Sequence, residues 1–242
     1  MDFLLELNWL AVGQIILIDI LLGGDNAIVI ALACRNLPPA LRLKGILWGT
    51  LGAIVLRILL IAFAVTMLQA PYLKLLGSLL LFWIGVKLLA EGEDDHDGIH
   101  ASERLLAAVK TIVLADLVMS IDNVIAVASA AENTGDEHRL ALVVFGIAVS
   151  IPIIVWGSTI VLRLMALFPV IISLGAGLLG YLAGTMLFTD AALTPWIQAW
   201  LPYHAFTVPG MGATLSIPGL LSAAGVMATG HWLARKRTDS GI

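Results

Sequence analysis

Ile16-Leu17-Ile18-Asp19-Ile20-Leu21-Leu22-Gly23-Gly24-Asp25-Asn26-Ala27-Ile28-Val29-Ile30-Ala31 is an apolar stretch whose polar side chains are Asp19, Asp25 and Asn26. It aligns without gaps on Val113-Leu114-Ala115-Asp116-Leu117-Val118-Met119-Ser120-Ile121-Asp122-Asn123-Val124-Ile125-Ala126-Val127-Ala128, so Asp-x5-Asp-Asn occurs twice. The same offset pairs Asn36 with Asn133, Arg42 with Arg139 and Gly49 with Gly146, which carries the register into the next apolar run. A match of that extent argues for duplication, the sequence signature of many transporter folds.

Composition names the solvent. Of 242 residues, 60% are hydrophobic and 12% charged, and the mean hydropathy is +1.00. Soluble domains carry about a quarter charged residues, so too little polar surface exists here to face water. A helix crossing a hydrocarbon core needs about 20 apolar residues. Runs of that length are predicted at roughly 10–33, 45–68, 73–90, 105–131, 140–162, 168–188 and 216–234. They are too long for barrel strands, and lipid leaves no partner for an unpaired backbone, so the expected class is an all-α integral membrane protein of about seven transmembrane helices.

The expected organisation follows from the duplication. Residues 1–90 form a first three-helix repeat, 91–104 an acidic cytoplasmic loop, and 105–188 a second repeat. Residues 189–215 form an external loop, and 216–242 a seventh helix with a basic cytoplasmic tail. Three helices per copy send the second copy in from the opposite face, an inverted 3+3 repeat plus one C-terminal helix.

Lys and Arg set the orientation, because they collect in cytoplasmic loops. Arg235, Lys236 and Arg237 place the C-terminus inside, and Arg35, Arg42, Lys44, Lys87, Arg104, Lys110 and Arg163 agree; Lys74 and Arg139 fall outside. The 189–215 connection has Trp196, Trp200, Tyr203 and three prolines but no Lys or Arg. Its aromatics suit the headgroup level of an outer surface, and an odd number of spans puts the N-terminus outside. The expected location is a plasma (inner) membrane. The first run lacks the basic n-region of a signal peptide and is read as a retained helix. A net charge of −4 gives no footing for nucleic acid. Cys34 has no second cysteine to pair with and reads as a passive thiol on the reducing side.

Four aspartates, Asp19, Asp25, Asp116 and Asp122, lie inside the apolar runs. Each costs roughly 2.5–3.5 kcal/mol at the bilayer centre, which a bound cation, an aqueous cavity or protonation offsets. Seven residues are nearly two helical turns, so Asp19 shares a face with Asn26 and Asp116 with Asn123. Gly23-Gly24 weakens the first helix there, leaving Asp25 to cap the half-helix that follows. Carboxylates and amides are hard oxygen donors, suited to Mg²⁺, Ca²⁺ or Mn²⁺ above Zn²⁺ or Cu⁺; Na⁺ and H⁺ fit the same acids. Arg57, mid-run, needs an aspartate partner or a cavity, and its equivalent in the second copy is Ile154. Lys87 is placed to snorkel to the interface. Gly45, Gly49 and Gly52, and Gly177, Gly180 and Gly184, have the spacing of close helix approach. The acidic run from Glu91 to His100, with His96 and His100, reads first as a solvated linker and second as a gatherer of metal.

Leu22-Gly23-Gly24-Asp25-Asn26-Ala27 and Met119-Ser120-Ile121-Asp122-Asn123-Val124 resemble the paired signatures of the TerC family of bacterial membrane proteins, within the LysE superfamily. The resemblance covers essentially the whole chain. It implies export of divalent metal, chiefly Mn²⁺, including metal supply to secreted enzymes, beside an older association with tellurite resistance. It carries Asp25, Asn26, Asp122 and Asn123 over as core metal-site residues, with Asp19 and Asp116 as partners. The leading expectation is therefore a Mn²⁺ exporter working by alternating access, one three-helix unit rocking against the other around a site at the repeat interface. Against it stand a non-transporting scaffold that delivers metal to secreted enzymes, and an exporter of another small solute. No P-loop, catalytic triad or zinc cluster marks the chain as an ATPase or hydrolase, so no enzyme and no resident cofactor is expected. The expected partners are the divalent ion and the lipid bilayer, with a homo-oligomer left open.

Overall fold

A computed structural model describes residues 24–67, 72–91, 100–132, 139–190, 192–200, 205–207 and 214–240, with side chains at all of these except 61–67, 122–132, 139–148, 198, 200 and 237–240. The described chain is nearly all helix. In order it forms α1 (Gly24–Cys34), α2 (Pro39–Met67), α3 (Leu73–Ala90), α4 (Ala101–Glu132), α5 (Arg139–Leu167) and α6 (Val170–Phe188). Then come α7 (Thr194–Trp200), a hairpin of β1 (Ala205–Thr207) and β2 (Thr214–Ser216), and α8 (Ile217–Ser240). Each predicted apolar run is helical wherever it is described, except at the run ends Phe168, Pro169 and Ser216. Pro39–Leu60, Leu73–Ala90, Val149–Leu167 and Val170–Phe188 are long and apolar enough to cross a membrane.

The faces of α2 show what surrounds it. Leu43, Leu47, Leu51, Val55 and Leu59 recur at every fourth position and each is about half exposed, with Trp48 beside them. A water-facing helix would carry charge on that stripe, and here it is aliphatic, as lipid contact requires. The opposite face, Ile46, Thr50, Ala53, Arg57 and Leu60, is buried. Arg57 thus projects from the protein side of a helix whose other side is oil.

The chain divides into two compact units that do not coincide with its two halves. One holds 1–67 and 105–163, the other 68–104 and 164–242. In the first unit, α1, α2, α4 and α5 share an apolar cluster of Ile30, Cys34, Leu37, Ile46, Ala108, Ile112 and Ile154. The glycines on α2 set its spacing: a Cβ on Gly45 would lie 2.9 Å from the Cys34 sulfur, and one on Gly52 would lie 2.8 Å from Val113. Cys34 is free and wholly buried, consistent with a passive thiol. Pro152 sits inside α5. Further along the helix the Ser158 and Thr159 hydroxyls donate to the carbonyls of Ile154 and Val155, which satisfies them within the helix.

In the second unit α3, α6 and α8 pack together around Leu89, Ala176 and Val226. The α6–α8 contact is backbone on backbone. A Cβ on Gly180 would come 2.8 Å from Ala223 Cα, and one on Gly184 2.8 Å from Gly219 Cα. The 189–215 connection, expected as a plain loop, contains α7 and the antiparallel hairpin, paired Ala205 with Ser216 and Thr207 with Thr214. Pro195 stands in the first turn of α7, where its missing N–H is tolerated. Tyr181 on α6 receives the Ser216 backbone N–H at its hydroxyl, 3.1 Å, which fixes β2 to the helix.

Candidate functional site

Asp25 stands in the first turn of α1 as described and is partly exposed. Its Oδ1 accepts the Asn26 backbone N–H at 2.8 Å; Gly23, on which the expected helix break depends, lies outside the described residues. Gly24 beside it has open space where a Cβ would be. Asn26 is 4% exposed, and neither its amide nitrogen nor its amide oxygen meets a hydrogen-bond partner among the described residues. Buried amides without partners are rare because each forfeits the hydrogen bonds water gave it.

Arg57 reaches from α2 to α4. Its Nη2 donates to Asp116 Oδ1 at 2.5 Å, its Nε donates to Ser120 Oγ at 3.1 Å, and Ser120 Oγ donates to Asp116 Oδ2 at 3.0 Å. Asp116 and Ser120 lie one turn apart on α4, which is why one guanidinium serves both. Arg57 is 3% and Asp116 5% exposed, and Ser120 is fully buried. The expectation that Arg57 needs an aspartate is met, and the partner comes from the other half of the sequence. Asp25 lies within Coulombic range of both Asp116 and Arg57. One buried polar locus in the first unit thus joins Arg57, Asp116 and Ser120, and Asp25 and Asn26 stand on α1 of the same unit.

The other expected site residues are placed less fully. Asp122 and Asn123 are on α4, their side chains outside the described residues, and Asp19 lies outside them altogether. Among the described residues no three His, Cys, Asp or Glu side chains gather. Lys87, on α3, bridges to Glu91 at 3.5 Å and stands 5.4 Å from the Trp83 ring, as an interfacial lysine does. His96 of the acidic run lies outside the described residues.

Sequence reasoning missed Asp190, which follows α6. It is 1% exposed, and its carboxylate accepts the N–H groups of Leu75 at 3.1 Å and Ala192 at 2.9 Å. Burial by itself raises this carboxyl, but the backbone N–H groups of Ala192, Leu75, Tyr72 and Leu193 hold it below its ordinary value of 3.8. Tyr72 at the start of α3 has φ 64°, a left-handed conformation that an aromatic residue adopts only where neighbours impose it. The one signal in the sequence was Asp190 four residues before Thr194-Pro195, a helix-start pattern at α7 rather than at α3.

Apolar outward stripes, long apolar helices and a buried Arg–Asp pair define a multi-pass integral membrane protein with an intramembrane polar site. The chain belongs to the integral membrane protein TerC family, which it matches over residues 5–237. It is 44% identical over 177 residues to the uncharacterized membrane protein YjbE of Bacillus subtilis, covering 73% of this chain and 78% of that one. It is 28% identical over 134 residues to the uncharacterized membrane protein YceF of the same organism, covering 52% of each chain. The inner membrane protein YgdQ of Escherichia coli is 34% identical over 134 residues, covering 48% of this chain and 56% of that one. No solved structure matches this chain.

Proposed function

We propose that this chain exports a divalent metal ion, chiefly Mn²⁺, from the cytoplasm by alternating access. The observation that carries the reading is Asn26: a buried amide with no protein partner among the described residues, next to the partly exposed Asp25 carboxylate. Together they offer hard oxygen donors of the kind Mn²⁺ and Mg²⁺ take. Asp122 and Asn123 repeat that donor pair on α4, which belongs to the same unit as α1. In this reading Asp25, Asn26, Asp122 and Asn123 form the core of the site, with Asp19 and Asp116 as neighbouring acids.

The family is one of membrane transport-associated proteins, which supports a transporter over an enzyme. Seven spans in an inverted 3+3 arrangement with an added helix, the N-terminus outside and the C-terminus inside complete the proposal. Placement in an inner membrane follows the E. coli relative's description. The test is cellular: cells overproducing the chain should hold less Mn and tolerate more Mn²⁺ across a panel of divalent ions, with little change for Cu⁺. Unchanged Mn content would leave a metal-delivering scaffold as the better reading.

A further inference from the structure

The seam between α6 and α8 leaves a space beside it. Gly184 draws the two backbones together at Pro218 and Gly219, so the floor there is made of small residues, Ala183 and Gly184. Leu79 and Phe82 of α3 and Leu221 of α8 wall a groove of about 300 Å³, all of it within the second unit. Its lining is almost wholly apolar, and the Ser78 hydroxyl within it is turned to its own helix, donating to the Leu75 carbonyl at 2.8 Å. Leu79 and Leu221 on the rim are 59% and 69% exposed, and α3 and α6 are long and apolar enough to cross a membrane. The groove therefore opens to hydrocarbon, and an apolar space of this kind stays dry and takes an apolar guest. One turn of helix, roughly 10 Å across and 5.4 Å in pitch, fills about 400 Å³. The groove is too small for that and admits an unbranched hydrocarbon chain.

One end of the groove is charged. Lys74 lies one turn before Ser78 on α3, and its Nζ is 3.5 Å from the hydroxyl of Thr189, which follows the groove residue Phe188. The acid nearby, Asp190, is buried with its carboxylate on the backbone N–H groups of Leu75 and Ala192. Tyr72, just before α3, and Trp196 of α7 are exposed near the same helix ends, as aromatics at the headgroup level are. An apolar slot that ends at a cation and aromatic rings has the order of a lipid, tail first and phosphate after it. We propose that this groove holds one acyl chain of a bilayer phospholipid, from the leaflet nearest the β1–β2 hairpin, with the phosphate on Lys74. The proposal does not rest on the metal-export reading.

The experiment is native mass spectrometry of the whole chain released from detergent with graded phosphatidylglycerol, and with diacylglycerol, which lacks the phosphate. Wild type should retain one phosphatidylglycerol well above the random distribution of adducts. Leu221→Trp, which lays an indole across the groove, should weaken retention at least about tenfold, since several methylenes lose their site. Leu51→Trp, the same exchange on the lipid face of α2, should bind as wild type does. Lys74→Gln should weaken phosphatidylglycerol about fivefold, the worth of one lysine at a phosphate surface, and Lys74→Arg should restore it. No adduct above the random distribution, equal retention in Leu221→Trp and Leu51→Trp, or equal retention of phosphatidylglycerol and diacylglycerol would each overturn the proposal. So would a dimer that Leu221→Trp splits and lipid leaves unchanged, which gives the groove to a second copy.

Discussion

Arg57 of α2 and Asp116 of α4 join the two halves of the duplicated sequence, their side chains 4% and 6% exposed and in contact at 2.5 Å. A buried pair contributes little net stability against an apolar alternative, yet removing one partner costs about 3–5 kcal/mol because the other charge is stranded. Arg57→Ala should therefore lower the thermal unfolding midpoint in detergent sharply, because it leaves the buried Asp116 carboxylate without this cation. The double Arg57→Gln/Asp116→Asn variant should lose less. Equal midpoints in wild type and Arg57→Ala would mean the pair is not formed in the membrane.

The α6–α8 seam makes a second prediction. Gly184→Ala puts a methyl against backbone of Pro218 and Gly219, which cannot rotate away, whereas Gly177→Ala meets only the flexible Met227 side chain at 3.3 Å. Gly184→Ala should cost about 1–3 kcal/mol by overpacking. Gly177→Ala should be nearly neutral. Unfolding midpoints of the two variants in the same detergent decide, and similar values would count against the seam.

Asp190 gives a pH-dependent outcome. Its folded value is depressed below 3.8, so its contribution is present above that pH and is lost as pH falls through the lowered folded value. Asp190→Ala should cost about 1–3 kcal/mol near neutral pH, since it strands buried N–H groups. The gap between wild type and Asp190→Asn should hold between about pH 7 and 5 and close in stronger acid. A gap that widens in acid would contradict the assignment.

Topology is open to reporters. The absence of Lys and Arg from 189–215 and the basic Arg235-Lys236-Arg237 put the two segments on opposite faces. A reporter fused after Arg237 should read cytoplasmic and one near Gly212 external. Both on one side would remove the orientation argument.

How much of this was legible in the sequence follows from the range of each interaction. Helix positions were, because lipid demands long apolar runs and fully paired backbone: α3 was expected at 73–90 and is Leu73–Ala90. The close-approach roles of Gly45, Gly52, Gly180 and Gly184 were legible for the same local reason, that small residues at helical spacing make a smooth face. The need of Arg57 for an acid followed from its cost in oil. Its choice of Asp116 did not, since the pair is 59 residues apart and depends on how α2 and α4 pack. Asp190 at the start of α3, Tyr181 on the hairpin and the division into two units are likewise tertiary outcomes without a sequence period to betray them.

Mn²⁺ flux into liposomes containing only the purified chain, with Asp25→Asn and Asp122→Asn alongside, tests the central claim most directly. Asp25 and Asp122 are proposed to serve one ion, so each variant should abolish flux, and combining them should do no further harm. Folding should survive, because removing an intramembrane carboxylate charge also removes its desolvation cost. The account predicts Mn²⁺ entry in the wild type and none above empty liposomes in either variant; wild-type liposomes no more permeable to Mn²⁺ than empty ones would contradict it.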